Sequence, residues 1–243
     1  ATQPVPVEKV VITHPFYFSE PQKAATREAG RLAKLDVIDT LNEPTAAALA
    51  YGVLDRGAEG HYLVFDLGGG TIDETLTTFS QGRIQVVRGD GNSRLGGFDW
   101  DRLLVKFFAQ QFQQKFPEFD LDGPDVSPLT KFEWRKQAIA TKIKLSKDTI
   151  HRVPLKAVFN DGSQGSLRLD LTRDQVEALS VDLVRKCRTI ANAVMEGERP
   201  GETVQWSDLK EVLMVGGSTR LPAIRQMIRE ALGRDPKTDG FDP

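Results

Sequence analysis

The segment Phe65-Asp66-Leu67-Gly68-Gly69-Gly70-Thr71-Ile72-Asp73 concentrates residue types that can handle phosphate. Glycines carry no Cβ, so successive backbone N–H groups in such a turn can converge on an anion. Asp66, at the end of an apolar stretch, can hold a hydrated Mg²⁺, a hard cation that takes oxygen ligands and keeps its waters. Thr71 offers a hydroxyl to a terminal phosphate oxygen. Taken alone, the same residues also suit a Gly-rich hairpin in which Asp66 caps the turn. A second segment, Gly216-Gly217-Ser218-Thr219-Arg220, follows an apolar run and precedes a helical one. The free N–H groups of a helix start favour polar or anionic ligands. Its paired glycines would admit a ribose or base close to the backbone, and Arg220 could stack on a purine; a tight strand–helix turn is the plain alternative. Glu43, before Pro44 and Thr45, is either a capping carboxylate or one that orients a water or a metal ligand.

Other chemistries find less support. A Walker loop needs Gly-Lys-Ser/Thr, and the chain has no Gly-Lys pair. The dinucleotide fingerprint needs glycines between a strand and a helix, whereas Gly68 to Gly70 lie between two strands. His14, His61 and His151 are scattered without Cys partners, which argues against zinc. No Ser/His/Asp arrangement stands out. Lys142 and Ser146 share a helical face at i and i+4 but say nothing alone. Phe107, Phe108, Phe112 and Phe116 form a helical stripe that reads as core.

These residues need a scaffold, and the composition supplies one. The chain has 243 residues with 40% apolar and 27% charged content, ordinary for a globular protein of one or two domains. The balance of 32 basic against 34 acidic side chains leaves no basic footprint for nucleic acid or a membrane surface. Cys187 is the single cysteine, which excludes an intrachain disulfide and suits a reducing, cytoplasmic setting. The start, Ala1-Thr2-Gln3-Pro4, lacks the pattern of a signal peptide.

The patterning is that of an α/β protein. Val7 to Thr13 reads as a strand buried on both faces. Ser19 to Gln22 form a capping box for a helix to about Leu35. Val37 to Leu41 is a strand, and Asn42-Glu43-Pro44 opens a helix closed by Gly52. Tyr62–Leu67, Thr71–Phe79 and Arg83–Gly89 form an antiparallel meander with a turn at Gln81-Gly82. Helices follow over about Phe98–Lys115 and Thr130–Ser146, then a hairpin, Arg152–Phe159 and Ser166–Asp170, around Asn160-Asp161-Gly162. Thr172 to Gln175 cap a long helix. Glu211–Val215 is a buried strand, followed by a helix with Pro222 early and Gly233 at its end.

Read together, these stretches resemble the nucleotide-binding domain of the 70-kDa heat-shock (DnaK-type) chaperone family. The resemblance rests on Val11–Gly30, Asn42–Gly52, Phe65–Asp73, Leu95–Asp101, Lys142–Ser146 and Val215–Pro222, in matching order. It implies an actin-like (ribonuclease H-like) ATPase fold with ATP or ADP and Mg²⁺ between two lobes. Residues 1–55 would be a partial first lobe, 56–95 the phosphate meander of the second, 96–171 an inserted α+β subdomain, and 172–243 the closing part with the adenosine turn.

The implied roles follow position by position. Glu43, Asp66 and Thr71 would be catalytic, with Asp66, Glu43 and Asp73 near the metal and Asp73 also near a K⁺ site. Gly68, Gly69, Gly70 and Thr71 would hold phosphates. Lys142 and Ser146 would contact ribose and adenine, and Gly216, Gly217, Ser218 and Arg220 would form the adenosine side. Pro15 would relay nucleotide state. The implied activity is ATP hydrolysis that controls peptide binding by a separate domain. Its partners would be unfolded peptides, a nucleotide exchange factor and a J-domain co-chaperone. The chain departs from the family in several places. The first phosphate loop and its lysine lie before Val7 in the family, and the chain stops at Asp242-Pro243, so it reads as a piece of a longer protein that is inactive alone. Ile139 replaces a ribose-binding Glu, Lys23 an Arg, and Asp39 a basic residue used by J-domains, which argues against that partner. A sugar kinase of the wider superfamily, or a non-catalytic interaction module, is the alternative.

Overall fold

A computed structural model describes residues 7–52, 59–197 and 201–236. Ala1 to Pro4 and Asp242-Pro243 lie outside the described residues. Strands β1 (Lys9–His14) and β2 (Asp36–Asn42) pair in parallel and are joined by helix α1 (Glu20–Leu32). Ser19 and Gln22 make the expected capping box, with the Ser19 N–H donating to Gln22 Oε1 at 2.8 Å. The helix stops short of Leu35 because Lys34 turns left-handed at φ 62°. α1 lies very close to the strands: a Cβ on Gly30 would come within 2.6 Å of Ile12 and Val37. The strand at Val7 to Thr13 was expected to be covered on both faces. It is covered on one only, and Val11 (55%) and Ile38 (63%) are exposed on the other. The apolar run reflects β-propensity as well as burial, because α1 covers a single face of this pair.

The central sheet has the order β5-β4-β3-β8. β3 (Gly60–Leu67), β4 (Ile72–Ser80) and β5 (Arg83–Asn92) form the antiparallel meander, and β8 (Leu209–Val215) runs parallel to β3. Gln81 (φ 52°) and Gly82 (φ 72°) make the two-residue turn whose twist matches that of the flanking strands. Side chains alternate between the two faces. Leu63, Phe65, Leu67, Ile72 and Leu76 pack against helices α5 (Arg173–Met195) and α6 (Pro222–Leu232). Val64, Phe79 and Leu213 pack against helix α2 (Glu43–Ala50), whose Ala47 and Ala48 permit close approach. Asn42 caps α2 by accepting the Thr45 N–H at 2.9 Å, and Tyr51 ties its far end to the Met214 carbonyl at 2.7 Å.

A second core lies between α3 (Gly97–Lys115), α4 (Pro128–Leu145) and the hairpin of β6 (Ile150–Val158) and β7 (Gln164–Thr172). Phe108 and Phe112 are fully buried there, and Phe107 and Phe116 partly so, as the stripe predicted. Trp134 donates its indole N–H to the Lys156 carbonyl at 2.7 Å, which satisfies the polar edge of a buried ring. The Phe112 ring stacks on Phe116 and meets Phe119 tilted and Trp134 edge-on, all with centroids within 5.3 Å. Replacing it by Ala leaves a large cavity among rigid rings. Phe112→Ala should cost about 3–5 kcal/mol of unfolding free energy, measured by urea denaturation.

Candidate functional site

The glycine turn between β3 and β4 is closed by the Gly68 N–H donating to the Thr71 carbonyl at 3.0 Å. Two other loops grip it. The Gly68 carbonyl accepts from the Gly97 N–H at 3.0 Å and from Ser218 Oγ at 2.9 Å, and the Gly69 carbonyl accepts from the Phe98 N–H at 2.7 Å. The first turn of α3 and the short 3₁₀ turn Gly217–Arg220 therefore meet on the hairpin. Glycine is needed at these contacts. A Cβ on Gly96 would lie 2.6 Å from Gly69 and Gly70 backbone atoms, and one on Gly97 would lie 2.4 Å from Ser218 Oγ. Gly216 adopts φ 83°, and a Cβ there would meet the Leu67 carbonyl at 2.4 Å. The structure thus brings together Gly68 to Thr71 and Gly216 to Ser218. The Gly96-Gly97 clamp had no assigned role in the sequence; its signal was a glycine pair just before a helix start.

Three carboxylates gather beside the same hairpin. Asp66 and Asp73 sit directly opposite each other across β3 and β4. Glu43 opens α2, and all three line a small cavity of about 10 Å³ with Pro15 and Tyr17. Burial, then the charges of Asp66 and Asp73, pushes Glu43 up to about 7. Burial, then Asp73, pushes Asp66 up to about 6. Asp73 is raised by burial against hydrogen bonds from Tyr17 and Thr71, which favour its charged form. Tyr17 is raised to about 12, by burial first and then by the charge of Asp73. These groups repel one another in an apolar corner, and a cation among them would relieve the repulsion. No three His, Cys, Asp or Glu side chains among the described residues form a cage for a metal ion. One or two of these carboxylates would instead suit a cation such as Mg²⁺, which is usually held by one or two carboxylates with waters and phosphates. Next to Asp73, on the opposite face of β4, Glu74 is 1% exposed with both oxygens unpartnered, and burial raises it well above the carboxylate range. The alternating pattern of β4 gave no signal for it. Cys187, fully buried on α5, is pushed up to about 12 by burial and then by Glu74, so its thiol is inert.

The remaining positions divide between two places. Lys142 Nζ donates to the Gly97 carbonyl at 2.9 Å and pairs with Asp101 at 2.8 Å, so it belongs to the clamp around the hairpin. Ser146 and Arg220 line a separate cleft of about 630 Å³. Ser146 donates to the Ile143 carbonyl at 2.7 Å, and Ile139 is 40% exposed. Lys23 pairs with Glu20 at 2.8 Å, and exposed Asp39 accepts the Thr40 N–H at 2.7 Å.

The raised carboxylates set a direction for stability against pH. A group whose folded pKa lies above its unfolded value stabilises the fold fully below the unfolded pKa. That contribution is lost as pH rises through the folded one. For Glu43 the window runs from about 4.5 to about 7. Without divalent cations, Glu43→Gln should gain stability relative to the parent chain as pH rises through this window and hold a constant advantage above it. Urea midpoints measured at a series of pH values check this; a difference that does not change with pH contradicts it.

Among the described residues, no helix is long and apolar enough to cross a membrane. The family model for "Hsp70 protein" matches residues 2–242. The chain is 37% identical to the chaperone protein DnaK of Metamycoplasma hominis over 233 residues, 95% of this chain and 38% of that protein. It is 36% identical to the chaperone protein DnaK of Nitrosopumilus maritimus over 242 residues, 98% of this chain and 36% of that protein. It is 37% identical to the mitochondrial-type heat shock protein 70 of Encephalitozoon cuniculi over 239 residues, 96% of this chain and 38% of that protein. The chain therefore spans well under half the length of these relatives. Matched from near its first residue to near its last, it belongs to the Hsp70 family, which implies an actin-like ATPase fold.

Proposed function

We propose that this chain is part of a chaperone ATPase, in which ATP binding and hydrolysis control how tightly a separate domain holds unfolded peptide. The observation that carries the reading is the Gly68 to Thr71 turn, fixed by Gly97 and Ser218 with half-buried Asp66 at its base. In this reading residues 1–55 belong to the first lobe, 56–95 and 172–243 to the second, and 96–171 to the inserted subdomain. Catalysis of this kind is mostly positioning and charge stabilisation.

Each group then has a task. The N–H groups of Gly69, Gly70 and Thr71 hold phosphate oxygens, and the Thr71 hydroxyl adds one donor. Asp66 would hold Mg²⁺, with Glu43 and Asp73 nearby, and Asp73 would lie beside K⁺. Bound Mg²⁺ supplies neutralisation of phosphate charge. Glu43, fixed at the start of α2, orients the attacking water and accepts its proton. Gly216, Gly217, Ser218, Arg220 and Ser146 receive the adenosine. Lys142 supports it through the clamp on Gly97. Pro15, in the same cavity as Glu43, carries nucleotide state outward. Peptide clients, an exchange factor and a J-domain co-chaperone are the partners of the parent, with acidic Asp39 set against the last. The setting is cytoplasmic.

Calorimetric titration tests the adenosine side directly. MgADP should bind the chain, and Arg220→Ala should weaken it roughly tenfold. Binding that is unchanged in Arg220→Ala removes Arg220 from the site. In the full-length parent, Asp66→Ala should abolish the ATP-dependent change in peptide affinity, measured by fluorescence polarisation with a labelled peptide. A change that persists in this variant would falsify the ATP switch.

A further inference from the structure

Helix α4 carries two rows of side chains on opposite sides. The inner row, Thr130, Trp134, Ala138, Thr141 and Leu145, is buried and packs toward α3 and β6. The outer row holds Leu129, Phe132, Ile139 and Ile143, which are 56%, 58%, 40% and 54% exposed. With Lys136 among them, the outer positions are spaced 3, 4, 3 and 4 residues apart. At about 100° per residue this places them on one narrow line, roughly 180° from the buried row. The line is about 21 Å long, at 1.5 Å per residue. No other described element covers it. Elsewhere the exposed large apolar side chains are scattered over the surface. Scattered ones are normal, whereas an aligned row marks an interaction site.

The charge beside the row is one-sided. Arg135 borders it and makes no ion pair among the described residues, and the same holds for Lys147 just past the helix end. The two acidic neighbours are already matched. Glu133 pairs with Lys136 at 3.1 Å, and Asp148 with Lys144 at 2.7 Å. Lys136 also lies 5.4 Å over the Phe132 ring, so its charge stays on the row. Lys142 is turned inward to Asp101. The border is therefore net positive. Alternating steps of 3 and 4 are the seam of a coiled coil, whose knobs enter the holes of a facing helix. Such a seam is narrower than the broad apolar face of a helix that lies in a membrane surface. A second copy of this chain would set one basic border against another, which is repulsive.

We infer that the outer face of α4 docks an amphipathic helix of another protein, apolar along its seam and acidic along its borders. Leu129, Phe132, Ile139 and Ile143 supply the apolar contact, with Phe132 the largest anchor. Arg135 selects carboxylates, and Lys136, the polar group within the seam, sets the register. The glycine hairpin and the carboxylate corner take no part, so the inference stands independently of the nucleotide reading.

Fluorescence polarisation with labelled helical peptides tests it on the full chain. The probe has about 21 residues, three heptads, with Leu and Ile on the seam and Glu on both borders; like charges keep it from pairing with itself. A second peptide carries Lys on the borders instead. The Glu peptide should bind, and the Lys peptide should bind at least about tenfold more weakly. Phe132→Ser should weaken the Glu peptide about tenfold or more. Arg135→Glu should reverse the preference between the two peptides. Phe132 and Arg135 are both exposed, so neither change disturbs the fold, and Val181→Ser, at an exposed apolar site on α5, should leave binding unchanged. The inference is overturned if the Glu peptide does not bind, if both peptides bind alike, or if Phe132→Ser and Val181→Ser have the same effect. Self-association in sedimentation velocity that Phe132→Ser abolishes also overturns it, since the occupant would then be a second copy. So does Phe132-dependent binding to phosphatidylserine vesicles with no binding of the Glu peptide, which would make the face a membrane contact.

Discussion

The carbonyl of Gly68 holds the molecule's parts in register. It receives one N–H from the start of α3 and one hydroxyl from the turn after β8, and so joins three segments far apart in the chain. Both donors reach it only because Gly96, Gly97 and Gly216 carry no Cβ. A side chain at any of these positions would push the loops apart and leave buried backbone polar groups without partners. Lys142 extends the junction: its ammonium binds the Gly97 carbonyl and Asp101, so α4 is anchored to the same point.

The carboxylates impose the opposite constraint. Asp66 and Asp73 face each other because the register of β3 and β4 makes them partners, and Glu43 joins them because Asn42 starts α2 at that spot. Packing brings like charges together in an apolar corner, a cost that structure alone does not offset. Clusters of this kind mark places where a protein needs a positive partner. The clamp and the acidic corner adjoin one short turn, where the Asp66 carboxylate lies beside Gly216.

Much of this was legible in the sequence. The turns announced themselves through glycine, proline and capping residues, because those residues act locally; Ser19 with Gln22 and Thr172 with Gln175 fold as written. The hairpin residues and the strand–helix turn were readable for the same reason. What the sequence hid depends on partners distant in the chain. Nothing near Gly96 says that its Cβ would strike Gly69. The pattern of β4 does not announce that Glu74 is sealed under α5. Val11 and Ile38 look like core until the pair of strands is seen to carry one helix. Lys142 shows how the two kinds of information combine. Its neighbours in sequence gave it no meaning, its resemblance to a family pointed toward a nucleotide, and its contacts tie it to the clamp.

Two of the three hydrophobic cores each enclose one indole. Trp100 is sealed with the sheet, α5 and α6, and Trp134 with the phenylalanines between α3, α4 and the β6–β7 hairpin. Trp206, the third, is only partly buried. The chain therefore carries a built-in optical label for each of these two cores. Emission from Trp100 follows the sheet and from Trp134 the core of α3, α4 and the β6–β7 hairpin, so a protein that lacks Trp206 and one of the two reports on the melting of one region alone. Whether the junction at Gly68 makes the two regions unfold as one is then written in the colour and timing of two fluorophores that the fold itself placed.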